Sequence, residues 1–231
     1  MVPADNPGWS QMQTDDDPMA NLPSGWELDD STPEEIEAER EVYEPFTDSI
    51  RELVDLGIRS EVGLDDVRRA HEHLEQANAL LRGRVMPESY GVQIGNGTGR
   101  NWGNAIMGLR NAIAPPLQIE NDGVSRSWCD FTLGAAYEGP PRLVHGGVTA
   151  LVLDHVFGAA AGADHVPRMT GTLTIKYLRG TRLNVPLRAE AWVDRVEGWK
   201  SYVVGSLGDA DGTTVEAEGI FIRPRWARPS G

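Results

Sequence analysis

His145, Gly146 and Gly147 stand immediately before an apolar run, Val148 to Ala163, and that run carries one carboxylate, Asp154. Two glycines let a backbone turn tightly and leave its amides unshielded by side chains. If a helix starts there, its first N–H groups and partial positive charge form a site for a developing oxyanion. One such donor on an oxyanion contributes roughly 3–4 kcal/mol to a transition state. An ionised acid in an apolar helix is costly unless it is paired, hydrogen-bonded or near water. Two readings of Asp154 follow: it caps a neighbouring amide or meets an arginine, or it is a base beside a reacting centre. Gly146-Gly147 has its own plain reading as a simple turn.

Spacing decides what these groups can do together. Asp154 follows Gly147 by seven residues, two helical turns, so both lie on one helix face but about 10 Å apart along the axis. One carbonyl carbon cannot sit within about 3 Å of both. Two copies of the helix running antiparallel across a two-fold axis would bring Asp154 of one subunit to Gly147 of the other. A working site therefore calls for a homodimer, or a dimer of dimers, with two equivalent sites.

The elements that must position these groups are legible in outline. Val148, Ala150, Leu151, Val152, Leu153, Val156, Phe157 and Ala159 to Ala161 cover nearly every face, the pattern of a buried helix. PLQIEND and SRSWCDFTL before it read as strands, and MTGTLTIKYL, LRAEAWVDRV, KSYVVGSL and TTVEAEGIFI after it read as an antiparallel meander with turns at Glu197-Gly198 and Asp211-Gly212. Strict alternation puts Thr170, Thr172, Thr174 and Lys176 on one face of the first of these, and Gly171, Leu173, Ile175 and Tyr177 on the other. One apolar helix with strands on both sides in sequence implies an α+β fold in which a curved sheet wraps a central helix.

H-G-G-x6-D, with Met-Thr fifteen residues later on a strand that ends Tyr-x-Arg, resembles the hot-dog-fold acyl-CoA thioesterases, and most of all those of the phenylacetate-degradation type and the related thioesterase superfamily. The stretches that carry the resemblance are YEGPPRLVHGG (Tyr137 to Gly147), Asp154 and MTGTLTIKYLRG (Met169 to Gly180); it extends over about Leu117 to Pro224. The resemblance implies the hot-dog fold and hydrolysis of a fatty or aryl acyl-CoA to free acid and CoA. Gly147 would polarise the thioester carbonyl through its amide. Asp154 from the facing subunit would be general base or nucleophile, Thr170 would hydrogen-bond the carboxylate or the attacking water, and His145 would orient substrate or loop. Gly146 joins them as a substrate contact. Lys176, Arg179 and Arg182 fall where the family tends to hold the nucleotide portion, although solvated strand-end charges read equally well there. Phe157 and Leu151 are candidates to line an acyl tunnel. One branch of the family has Asn six residues before the His, where this chain has Gly139.

No cofactor is implied, since CoA belongs to the substrate, and no metal. His145, His155 and His165 recur every ten residues, which fits no local ligand spacing, and the latter two read as surface or interface histidines. A 2-enoyl-CoA hydratase and a non-catalytic acyl-CoA-binding or regulatory module are the alternatives on the same fold; His145 ahead of Asp154 at a helix start fits thioesterases better than hydratases.

Composition bounds the rest. The formal net charge is -14. Residues 1–83 carry 6 basic and 21 acidic side chains, while residues 84–231 are close to neutral. The acidity argues against nucleic acid or an anionic membrane as partner. The single cysteine, Cys129, excludes an intrachain disulfide framework and reads as a core or strand residue. Neither a signal peptide nor a membrane span is apparent, so a cytoplasmic setting is the default. Four parts are expected: an acidic flexible arm over 1–31, where Trp9 and Trp26 could pin it; a helical extension over 32–84; a Gly/Asn-rich connector over 85–116; and the hot-dog domain over 117–225. In the extension, Ser31-Thr32-Pro33 starts one helix that Gly57 ends, and a second runs from Asp65-Asp66 to Leu81. GNGTG in the connector lacks the Gly-Lys-Ser/Thr ending of a phosphate loop.

Overall fold

The computed structural model describes residues 24–95, 98–115 and 117–228. Trp9 and most of the expected arm lie outside them, as do two residues of GNGTG. Trp26–Leu28, at the end of the arm, forms strand β1, and the Trp26 ring meets that of Trp226 edge-on at 5.7 Å.

Helix α1 spans Pro33–Arg59 and helix α2 spans Leu64–Leu81. Thr32 caps α1 in a closed box: the Glu35 amide donates to Thr32 Oγ1 at 3.2 Å, and the Thr32 amide donates to Glu35 Oε2 at 2.8 Å. Gly57 does not end the helix, which runs two residues further to a cap at Ser60; one glycine costs only about 1 kcal/mol inside a helix. No residue of α2 is buried. Arg51 of α1 reaches the carbonyls of Asn111 and Ala114, and the Arg110 guanidinium lies 3.8 Å from the ring centre of Tyr43. These contacts join α1 to the connector. The connector is not all loop: β2 (Val92–Gly95) and β3 (Thr98–Arg100) form an antiparallel pair, and β1 lies parallel to β2. A buried ion pair, Arg100 with Asp29, crosses this small sheet.

The main sheet has six strands: β4 (Glu120–Asn121), β5 (Arg126–Phe131), β6 (Met169–Tyr177), β7 (Leu187–Glu197), β8 (Lys200–Asp209) and β9 (Gly212–Ile222). Helix α3, Gly146–Ala161, lies between β5 and β6 in sequence. The strand order is β4-β5-β7-β8-β9-β6, antiparallel throughout. The expected meander holds for β7, β8 and β9. Strand β6 is not part of it: it pairs with β9 and forms the far edge of the sheet. The helix between β5 and β6 carries the chain across the sheet, so that β7 can return beside β5.

The core lies where α3 meets the sheet. Val152, Leu153, Val156, Phe157 and Ala160 pack against Ala189, Ala191, Val203, Leu207, Val215 and Phe221. Small residues set the approach. A Cβ on Gly205 would meet Phe157 Cε2 at 2.9 Å, and one on Gly219 would meet Phe157 Cδ1 at 3.3 Å. Ser127 of β5 also donates to the Val156 carbonyl at 2.6 Å. Phe157 is 0% exposed and belongs to this core. Cys129 is likewise buried in β5.

Two sequence expectations fail in ways that shape the site. The helix is not covered all round. Gly147 and Leu151 are exposed, Leu151 by 38%, and Asp154 and Gly158 are half-buried. These residues, spaced three and four apart, form one stripe that the chain's own sheet does not cover. Strict alternation also breaks in β6. Thr170 pairs with Phe221 but Thr172 pairs with Ile220, so Gly171 is an extra residue in a bulge. The bulge puts Thr170 on the helix-facing side with Leu173, Ile175 and Tyr177, away from Thr172, Thr174 and Lys176. Among the described residues, no helix is long and apolar enough to cross a membrane.

Candidate active site

The start of α3 is tied down from three sides. The His145 amide donates to the Tyr137 carbonyl at 2.9 Å, and the Val144 amide donates to the Thr181 carbonyl at 2.8 Å. The Tyr177 hydroxyl donates to the Gly146 carbonyl at 2.8 Å. His145 is the N-cap: its Nδ1 accepts the Gly147 amide proton at 3.0 Å. That bond requires a neutral imidazole with its proton on Nε2. The Gly147 amide, expected to be open, is thus held by the preceding histidine. Among the described residues the Gly146 amide meets no acceptor.

Gly139 explains the departure from the Asn of one family branch. A Cβ at Gly139 would meet His145 Cα at 2.7 Å and His145 Cβ at 3.0 Å. The loop is folded flat against the histidine, with no room for a side chain.

Asp154 sits on the open stripe of α3, and its Oδ1 accepts from the Thr170 hydroxyl at 2.8 Å. The acid is neither a cap nor an arginine partner. It is hydrogen-bonded once, half in contact with solvent, and leaves its second oxygen without a partner among the described residues. His155, its neighbour, is half-buried rather than a surface residue; burial lowers its pKa, against the opposing charge of Asp154. His165 is exposed, with φ of 65°.

An open cleft of about 300 Å³ lies beside Gly146, between the Pro140–Val144 loop and residues 177–181 of the chain leaving β6. Arg179 lines it, but its guanidinium is already engaged. It donates to Asp209 at 2.5 and 3.1 Å and to the Gly212 carbonyl at 2.6 Å. Arg182 donates to Asp209 and to Asp211, the latter at 2.6 Å. Lys176 lies 3.6 Å from Glu216 on the outer face. The Asp209 side chain is 1% exposed. The Arg179 guanidinium, opposed by desolvation and aided by the Asp211 amide and Arg182, holds its carboxyl well below the usual carboxylate range. The structure therefore brings together His145, Gly146, Gly147, Asp154 and Thr170 along α3 and β6. It places Arg179 and Arg182 in a neutralised cluster and Lys176 on the opposite face of the sheet. No group of three or more metal-ligating side chains occurs among the described residues.

Sequence reasoning gave no weight to three residues that shape this region. Tyr177 clamps the glycine turn, and its place in the Tyr-x-Arg strand end was the available signal. Asp209 anchors both arginines; it gave no signal beyond being an acid near a turn. Gly171 was readable as an isolated glycine in a strand, a mark of a bulge.

Comparison with known proteins bears directly on this geometry. A family model described as thioesterase superfamily matches residues 142–216. Acyl-coenzyme A thioesterase THEM4 of Bos taurus is 30% identical over 107 residues, 46% of this chain and 44% of the relative; that of Xenopus laevis is 30% identical over 105 residues, 45% and 47%. The chain thus spans less than half the length of these curated relatives. A crystal structure of a thioesterase superfamily protein is 33% identical, with a TM-score of 0.69, over 78% of this chain and 90% of its own. This chain belongs to the thioesterase superfamily. Its fold is the hot-dog fold, α+β, with a helical N-terminal region added. The superfamily match contains every candidate residue from His145 to Arg182 and stops short of α1 and α2. The match to the solved superfamily member covers far more of the chain than the hot-dog domain alone, so part of the N-terminal region is shared with that protein.

Proposed function

We propose that this thioesterase-superfamily chain hydrolyses acyl-CoA thioesters, as a homodimer or dimer of dimers, with Asp154 of one subunit facing the α3 start of the other. The observation that carries the reading is the Thr170–Asp154 hydrogen bond on a helix stripe that the protomer leaves open. The hydroxyl fixes one carboxylate oxygen and leaves the other for water or for the carbonyl carbon. Two open elements support a second copy: β6 is the edge of the six-stranded sheet, and the helix stripe Gly147, Leu151, Asp154 and Gly158 is left exposed or half-buried by the protomer.

In this arrangement the α3 start supplies the oxyanion donor. Gly146 and Gly147 present amides near the positive end of the helix, where charge developing on a thioester oxygen is stabilised. The His145 ring must yield the Gly147 amide to the carbonyl oxygen when substrate binds. As general base, Asp154 takes a proton from water while the water oxygen bonds to the carbonyl carbon, the C–S bond breaks and the departing thiolate takes that proton to leave as CoA. As nucleophile, Asp154 displaces the thiolate to form an anhydride, which water then hydrolyses to free acid and carboxylate. The cleft between the Pro140–Val144 loop and Tyr177–Thr181 leads away from the glycine turn and suits part of an extended thioester. With Arg179 and Arg182 neutralised by Asp209 and Asp211, CoA phosphates receive little net charge from that cluster.

A panel of aryl and fatty acyl-CoAs with detection of released thiol tests the proposal. Turnover by the parent, with kcat reduced by roughly 100-fold or more in Asp154→Asn, supports it. Equal rates for the two proteins remove Asp154 from the chemistry, and binding without turnover points to a non-catalytic module.

A further inference from the structure

We infer that Gly171 is a positioning residue: by absorbing one extra residue in β6, it turns the Thr170 hydroxyl inward onto Asp154. The inference deepens the reading above, and its kinetic consequence rests on that reading; its structural consequence does not.

Successive side chains on a strand point to opposite faces, so one inserted residue reverses every side chain beyond it. Thr172 lies opposite Ile220, on the outer face, and Leu173 lies opposite Gly219, over the helix. Continued without interruption, this register would place residue 171 opposite Phe221, facing inward, and residue 170 opposite Ile222, facing outward. The observed partner of Thr170 is Phe221, and that of Met169 is Ile222. Two residues of β6 therefore share the space of one, and Thr170 takes the inward position. Its hydroxyl then meets Asp154 Oδ1 at 2.8 Å.

The bulge needs a residue without a side chain. A Cβ at position 171 would lie 2.7 Å from Ile222 Cδ1, 3.1 Å from Ile222 Cγ1 and 3.2 Å from the Ile220 carbonyl oxygen. The end of Ile222 can swing aside; the Ile220 carbonyl, fixed in the β8–β9–β6 ladder, cannot. A β-branched residue adds bulk at the same place and favours regular pairing, in which residue 171 faces inward. Substitution and deletion should therefore act in opposite senses. Removing Gly171 leaves Thr170 next to Thr172, and ordinary alternation alone then faces it inward.

The test uses the full chain in three forms: parent, Gly171→Val and the Gly171 deletion, each checked for a cooperative thermal transition. Crystal structures give the Thr170 Oγ1 to Asp154 Oδ1 distance without reference to activity. The inference expects hydrogen-bond distance in the parent and the deletion, and loss of the bond in Gly171→Val. If Gly171→Val does not fold, Gly171→Ala takes its place: its Cβ still meets the Ile220 carbonyl oxygen, so the Thr170 Oγ1 to Asp154 Oδ1 distance is expected to lengthen, and an unchanged distance overturns the inference. In acyl-CoA hydrolysis, Gly171→Val should lower kcat about tenfold or more with KM little changed, Thr170→Val should do the same, and the two together should cost no more than either alone. The deletion should stay within about threefold of the parent. A retained bond in Gly171→Val, or a deletion that loses the bond while still folded, overturns the inference. If none of the proteins hydrolyses acyl-CoA while the distances behave as stated, the positioning role stands and the proposed reaction falls.

Discussion

The Gly147 amide donates its proton to Nδ1 of His145 at 3.0 Å, so one of the backbone donors proposed to bind the oxyanion is engaged before substrate arrives. An N-cap acceptor of this kind stabilises a helix by about 1 kcal/mol. The same bond competes with the thioester oxygen for the amide.

His145→Ala is therefore expected to lower folding stability by roughly 1 kcal/mol while leaving the amide free for substrate. Its kcat should change by less than about tenfold. Urea unfolding and acyl-CoA kinetics on the same preparation check this. A loss on the order of 1,000-fold, the scale of a missing acid–base group, gives the imidazole a chemical role that the cap does not explain.

Asp209 offers a prediction in pH. Its carboxyl is held well below the usual carboxylate range, chiefly by Arg179. A depressed folded-state pKa gives stability that is present above the unfolded value, about 3.9, and is lost as pH falls through the folded one. Asp209→Asn should be less stable than the parent at pH 7, and the gap should close progressively below about pH 3.9. Urea midpoints across pH 7 to pH 2 measure it. A gap that is constant over this range assigns the loss to packing rather than to the ion pairs.

Cys129 is pushed up to about 12 by burial, with the charge of Asp130 adding to it. Since the thiolate is the reactive form, a disulfide reagent at pH 8 should modify the native protein at least about 1,000-fold more slowly than the urea-unfolded chain. Comparable rates would mean that β5 opens readily. The slow reaction also keeps the protein's own thiol out of an assay that counts released CoA.

Much of this was open to reading in the amino-acid order. Apolar residues on all sides of 148–161, flanked by strand-length segments, led to a helix wrapped by a sheet. The joint spacing of Gly147, Asp154 and Thr170 led to the family. What stayed hidden is non-local. The place of β6 beside β9 depends on the crossover through α3, not on the turns that join β7, β8 and β9. The side on which Thr170 faces depends on a single extra residue, which period-2 counting cannot register. The open stripe at Leu151 and Asp154 arises because one sheet covers only part of the circumference of a helix. The partners of Arg179 and Arg182 come from the β8–β9 turn, about thirty residues further on and within no local motif.

The sharing of each site between two subunits is tested most directly by complementation. Asp154→Asn lacks the carboxylate but keeps the Gly147 amide. Gly147→Pro lacks that amide but keeps the carboxylate, at a first-turn position where proline is tolerated. Each variant alone should be inactive. When the two are unfolded together and refolded as a mixture, half of the dimers pair one of each, and each such dimer holds one complete site of two. Recovery of about a quarter of the parent activity is the outcome for a shared site. A mixture as inactive as its components would mean that carboxylate and amide act within one protomer, or not together at all.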